Sequence, residues 1–157
     1  KSIITYMHGF EESYLFFIVP QFSYSYRKQL VRPKKIYAID TGFIIANSKS
    51  STANSGRLLE NAVFLALRRI YKEIYYYKER GECDFIVKER GSVRYALQVC
   101  TQVTEENLRR EIDGLKEAMK NTHAEEGFIL TENQEEAVEG IKLIPAWKWI
   151  HARKNNI

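Results

Sequence analysis

Three β-rich runs stand so close together along this chain that only an antiparallel arrangement can join them. EIYYYKE (73–79), CDFIVK (83–88) and VRYALQVC (93–100) are separated by short stretches, the first containing Gly81 and the second Arg90-Gly91-Ser92. A parallel pair would need a crossover of a dozen or more residues, which neither gap holds. Beyond the third run the periodicity changes. TEENLRREIDGLKEAMKN (104–121) opens on Thr104 as a predicted N-cap and carries Leu108, Ile112, Leu115 and Met119 as an apolar stripe. That amphipathic helix leads into EGFILT (126–131), a strand that can return parallel to the third run through a right-handed crossover. Before the strands, RLLENAVFLALRRIYK (57–72) puts Leu59, Ala62, Val63, Ala66, Leu67 and Ile70 on one helical face and Asn61, Arg68, Arg69 and Lys72 elsewhere. The order helix, three strands, helix, strand predicts an α/β fold around a mixed central sheet. A last run, GIKLIPAWKWI, predicts a short strand that stops at Pro145.

The first third of the chain has another texture. SIITYMHGFEE (2–12) reads as a short helix behind a capping Ser2. Two aromatic-rich runs flank Pro20-Gln21 and a third, KIYAID, comes after Pro33, which predicts a hairpin and one further strand. A helix leading into a two-stranded wing suits the end of a winged-helix module. Here Tyr24, Tyr26, Arg27, Lys28, Arg32, Lys34 and Lys35 offer stacking faces and phosphate partners for nucleic acid. Burial of Phe16, Phe17 and Phe22 against the next unit explains the same aromatics more simply. The stretch NSKSSTANSG (47–56) reads as a flexible loop and boundary. Two units are therefore expected, 1–46 and 57–157.

Bulk properties bound the function. The 157 residues, 45% of them hydrophobic, suffice for a real core. A net charge of +4 mildly favours an anionic partner. No apolar stretch approaches the roughly 20 residues of a membrane span, so no membrane association is expected. Two cysteines without CxxC spacing exclude a zinc module and a disulfide scaffold, and point to a reducing cytoplasm. The chain opens on Lys1 directly into helix-like sequence and reads as a piece of something longer.

The candidate site lies where the second and third runs meet. Alternation puts Asp84, Ile86 and Lys88 on one face of one strand, and Ala96, Gln98 and Cys100 on one face of the other. A three-residue loop at Arg90-Gly91-Ser92 sets Asp84 opposite Gln98 and Glu82 opposite Cys100, while a two-residue or four-residue loop would shift that register by one and need a bulge to restore it. Cys83 and Cys100 then point to opposite faces and form no disulfide. Glu60, four residues before Phe64, stands on the sheet-facing side of its helix. A carboxylate there is costly unless paired. Arg80, Lys78 or Lys88 could pair with it, or a divalent metal could be shared between Glu60, Asp84 and the polar end of the third strand.

Helix with glutamate, strand with aspartate, strand ending in an acid-x-lysine motif, then helix and strand, is the layout of the PD-(D/E)xK nuclease superfamily. Glu60 in RLLENAVF, Asp84 in ECDFIV and Gln98-Val99-Cys100 in ALQVCTQ resemble it, and KKIYAIDTGF, LLENAVF, ECDFIV and LQVCTQ resemble one branch. That branch is the uncharacterised C-terminal domain of prokaryotic AAA-type ATPases, where the nuclease-like domain comes after an ATPase core and a winged helix. The resemblance implies a restriction-endonuclease-like αβββαβ core and an upstream ATPase domain. It implies Mg²⁺ or Mn²⁺ as cofactor if active, with Glu60, Asp84, Gln98 and the Val99 carbonyl as metal ligands. Cys100 stands at the motif lysine, and a thiol is neither a cation nor a match for Mg²⁺. Lys78 is the candidate substitute base; Lys88, four residues from Asp84, lies about 13 Å along the strand.

Two functions are expected on these grounds. One is a metal-dependent nuclease that cuts DNA, with Arg27, Lys28, Arg32, Lys34, Lys35, Arg68 and Arg69 holding phosphates. The other, favoured by the missing lysine and the neutral Gln98, is a degenerate nuclease fold that docks DNA or a protein partner. As a nucleophile Cys100 would need a base, and His8, His123 and His151 show no such spacing.

Overall fold

The computed structural model describes residues 3–47 and 55–154. Ser2, the His8 side chain and most of the 47–56 stretch lie outside the described residues. The chain runs α1 (Ile3–Glu12), β1 (Phe16–Pro20), α2 (Tyr26–Val31), β2 (Lys34–Ala38), α3 (Thr41–Asn47), α4 (Ser55–Ile70), β3 (Glu73–Lys78), β4 (Glu82–Glu89) and β5 (Ser92–Val99). It continues through α5 (Leu108–Thr122), β6 (Glu126–Thr131), β7 (Glu136–Val138), β8 (Ile141–Pro145) and α6 (Ala146–Lys154). Six strands form one mixed sheet in the order β3-β4-β5-β6-β8-β7, and β1 pairs with β2 in a separate antiparallel ribbon.

The meander β3-β4-β5 is antiparallel, and β6 returns parallel to β5 through α5, setting Gln98 beside Ile129. Apolar residues alternate to two faces. One face packs Phe85, Val87, Tyr95 and Leu97 against Val63, Phe64 and Leu67 of α4 and Trp149 of α6. The other packs Ile86, Ala96 and Ile129 against Ile112, Leu115 and Ala118 of α5.

Two expectations need correction. The aromatic-rich segment after Gln21 is not a second hairpin strand: YRKQLV forms α2, and β1 pairs instead with β2, Val19 opposite Lys35. Thr104 does not cap α5. Its carbonyl accepts the N–H groups of Asn107 and Leu108 in a turn, and the helix starts at Leu108. The last strand does stop at Pro145, as expected, and α6 follows from the next residue. The acidic stretch after Thr131 contains the short edge strand β7.

The β1-β2 ribbon is tied closely to the larger sheet. Val19 and Tyr37 share the core with Phe64 and Phe85, Phe22 donates its N–H to the Tyr76 carbonyl at 2.7 Å, and Gln21 bridges to Tyr76. Asn61, expected off the buried face of α4, is only 3% exposed. Its amide accepts from Ala38 N at 2.8 Å and donates to Ala38 O at 3.0 Å, so α4 holds the end of β2 by satisfying its backbone. Ala62 conversely is exposed.

Candidate functional site

Two irregularities in the strands decide where the polar residues point. The β4–β5 turn is the two-residue Arg90-Gly91, both at positive φ (52° and 90°), as a tight hairpin needs. Its register, Lys88 opposite Val93, shifts by one before Val87 pairs with Tyr95. The bulge cancels the shorter turn, so Phe85 pairs with Leu97 as a three-residue loop would have set it, and Asp84 lies beside Gln98. The second irregularity lies between β3 and β4. Tyr75 pairs with Ile86 and Tyr77 with Cys83, leaving Asp84 and Phe85 together opposite Tyr76. That bulge breaks alternation. Ile86 stays in the α5 cluster, while Asp84 turns with Phe85 to the α4 face, so Asp84 and Ile86 do not share a face.

At that bulge the Lys35 ammonium meets three carboxylates. It lies 2.8 Å from Asp84 Oδ1, 3.1 Å from Glu60 Oε1 and 3.1 Å from Glu82 Oε1. Tyr37, two residues along β2 and so on the same side, donates its hydroxyl to Glu60 Oε1 at 2.6 Å. Asp84 Oδ2 accepts the Val99 N–H at 3.0 Å. Gln98 faces the other way. Its Oε1 accepts the Asp84 N–H at 3.2 Å, and its amide nitrogen donates to Glu111, a carboxylate only 3% exposed on α5.

The expected ligand set is therefore distributed differently. Glu60 and Asp84 come together, but around Lys35. Gln98 is spent on Glu111 and the backbone, and Val99 contributes its N–H to Asp84. Lys78 pairs with Glu82 at 3.0 Å on the rim. The Cys100 thiol, half-buried, donates to the Gln102 carbonyl at 3.0 Å and accepts from Asn107. Burial, then the Glu111 carboxylate, pushes its pKa up, so it remains a protonated thiol rather than a nucleophile. Both cysteines are free, but not because they face apart. The bulge opposite Tyr76 leaves Cys83 in the α5-side cluster, against which Cys100 also packs, so the expected opposed faces do not hold. The metal that the resemblance implies does not fit these residues as arranged. Asp84 and Glu60 already accept from Lys35, Val99 and Tyr37. Glu60, Glu82 and Asp84 are arranged around the ammonium, and among the described residues no group of three or more His, Cys, Asp or Glu is placed so that it could hold a metal ion.

The basic residues assigned to phosphate also divide. Lys35 is in the acidic cluster, Arg32 pairs with Glu79 at 2.6 Å, and Lys34 donates to the Leu30 carbonyl at 2.9 Å. Arg68 lies over the Phe17 ring at 5.9 Å and donates to the Lys72 carbonyl. Arg27 and Arg69 are exposed and do not line the site's cleft, and Lys28 lines a neighbouring cleft. The site itself opens into a cleft of about 660 Å³ with Glu60, Asp84 and Gln98 at its floor and Arg57, Lys78, Arg80 and Arg110 around it. Sequence reasoning missed Lys35's role because Lys34-Lys35 looks like a surface pair. Glu111 was missed as well, although its place three residues after Leu108 and four before Leu115 sets it on the flank of the buried stripe.

Asp84 makes the site pH-sensitive. Burial raises its pKa to about 6; Lys35 opposes that rise and Glu60 reinforces it. An unfolded aspartate titrates near ~3.9, so between about pH 4 and 6 the folded protein binds more protons than the unfolded chain, and this group's contribution to stability falls as pH rises. Lys35, raised above its usual 10.5 by Asp84 and Glu60 against its own burial, keeps its contribution throughout that window. Urea midpoints measured from pH 4 to 7 should fall more steeply for the wild type than for Asp84→Asn. Parallel curves would mean that Asp84 ionises in the folded protein as freely as in water.

Among the described residues no helix is long and apolar enough to cross a membrane. No solved structure matches the chain. The chain is 33% identical to the Uncharacterized protein MJ1544 of Methanocaldococcus jannaschii, over 95% of its own length and 36% of the relative's, so it spans about a third of that protein. Residues 55–149, from the start of α4 to Trp149, match the family model described as Domain of unknown function (DUF4143). With that match across most of the chain, the protein belongs to the family described as Domain of unknown function (DUF4143).

Proposed function

We propose that this domain is a degenerate PD-(D/E)xK-type fold that binds nucleic acid, with a lysine side chain serving as the cation of its former catalytic cleft. The observation that carries the reading is the Lys35 ammonium held among Glu60, Glu82 and Asp84 beneath a rim of Arg57, Lys78, Arg80 and Arg110. In that rim Lys78 pairs with Glu82 and Arg110 with Glu111, while Arg57 and Arg80 have no ion-pair partner among the described residues. An internal cation lowers the repulsion that three carboxylates would exert on a phosphodiester, and the rim supplies the attraction. The helix, three-stranded meander, crossover helix and parallel strand support the fold assignment. On this reading an upstream AAA-type ATPase domain of a longer polypeptide supplies the chemistry, and this domain holds the substrate.

One observation favours a second reading. Lys35 stands 2.8 Å from Asp84, so it could replace the lysine missing at Cys100 and keep the cleft a nuclease. A single experiment separates the two. Single-stranded, duplex and branched DNA are incubated with the protein in Mg²⁺ or Mn²⁺, and binding and cleavage are measured together. Binding with a steep salt dependence and no cleavage is the expected result. Cleavage that disappears in both Asp84→Asn and Lys35→Gln would establish the enzyme instead. Neither binding nor cleavage would remove both readings and leave a protein-docking role.

A further inference from the structure

A second cleft, of about 790 Å³, adjoins the first and shares its Glu79-Arg80 wall. It lies between the segment entering α2, the end of β3 and the end of α5. Tyr24 stands at its edge, 72% exposed. An exposed tyrosine is ordinarily mobile, but this one is fixed at both ends. Its hydroxyl donates to the Thr122 carbonyl at 3.0 Å, and the buried Phe22 ring meets it edge-on at 5.1 Å and 83°. The ring is therefore held with little rotamer entropy left to lose on binding. Around it, Lys28 and Lys120 have no ion-pair partner among the described residues, Arg80 has only the nearby Glu117 carboxylate, which accepts its backbone N–H at 3.3 Å, and Arg32 of the same cleft is tied to Glu79.

We propose that this cleft binds single-stranded nucleic acid, one base stacking on Tyr24 and the adjoining phosphates meeting Lys28, Arg80 and Lys120. Stacking on a fixed ring needs a base whose face is free, which a strand outside a duplex offers and a duplex does not. Arg80 lines both clefts, so a strand lying here continues toward the Lys35 site. This rests on the nucleic-acid reading above and adds strand type and a stacking site to it.

The test is fluorescence anisotropy of a labelled oligothymidylate of about 12 nucleotides, within the range of single-strand site sizes, against the matching duplex. Wild type, Tyr24→Ala, Tyr24→Phe and the double variant Lys28→Ala/Lys120→Ala are compared across salt, with circular dichroism checking each fold. Wild type should prefer the single strand. Tyr24→Ala should weaken that binding about tenfold, while Tyr24→Phe, which keeps the ring, should retain most of it. Losing two phosphate contacts should flatten the salt slope by about 1.4. Equal binding of both DNAs, unchanged by Tyr24→Ala, would overturn the stacking site and leave the general nucleic-acid reading standing. Absence of binding to either DNA would overturn both.

Discussion

Lys35→Met is expected to lower the stability of this protein by roughly 2–3 kcal/mol, a large effect for one side chain on the edge of a two-stranded ribbon. The reasoning turns on what remains behind. Asp84, 7% exposed, keeps its place in the β4 bulge, and Glu60 lies beside it on α4, both without the ammonium they share. Removing one partner of a fully buried pair costs about 3–5 kcal/mol. The lower figure applies because the Lys35 and Glu60 side chains are each more than a fifth exposed and the Glu82 side chain is 40% exposed. If the cost lies in the orphaned acids, removing one should return part of it. The double variant Lys35→Met/Asp84→Asn should then be more stable than Lys35→Met alone, the two changes failing to add. Mn²⁺ should raise the melting temperature of Lys35→Met, whose carboxylates are freed, and leave the wild type unmoved. Urea denaturation and thermal melts check each arm. A neutral Lys35→Met would mean that the cluster is not held by its lysine, and the proposed function would lose its main support.

What the sequence disclosed and what it withheld divide along a physical line. The α/β class, the antiparallel meander and the parallel return of β6 were legible because periodicity and short gaps are local. The Asp84–Gln98 neighbourhood was legible despite a wrong loop length, because the bulge after Val87 restores the register that the shorter turn removes. The bulge opposite Tyr76 was not legible. Nothing in ECDFIV marks the point where alternation breaks, and yet that break turns Asp84 toward α4 and Lys35. The segment YRKQLV lacks a long period and carries an aromatic, so it resembled a strand until the packing made it α2. Lys35 was withheld for a related reason: its partners lie 25 and 49 residues away, a distance at which no local pattern operates. Its alternation with Tyr37 was the one available hint that it shares the side of β2 that meets Glu60.

Gly114→Ala should destabilise the protein by about 2 kcal/mol, against the direction that helix propensity alone predicts. In the middle of α5 alanine is better than glycine by about 1 kcal/mol. Here the space is already taken. A Cβ at Gly114 would collide with the Glu82 carbonyl oxygen and stand 3.3 Å from the Glu82 nitrogen, and a Cβ at Gly81 would come within 2.8 Å of the Gly114 Cα. These are backbone atoms of β4 and the turn before it, which cannot swing aside, so overpacking costs of about 1–3 kcal/mol or more outweigh the gain. Gly127 supplies the control, since the three atoms nearest a Cβ there all belong to the Met119 side chain, which can move. Urea unfolding should therefore show a larger loss for Gly114→Ala than for Gly127→Ala. The consequence reaches the site, because Glu82 is one of the three carboxylates around Lys35 and its backbone would be displaced first. In Gly114→Ala the added cost of Lys35→Met should shrink, the two positions being coupled through β4. A stabilised Gly114→Ala would show that α5 does not rest on the backbone of β4, and that the site gains no support from beneath.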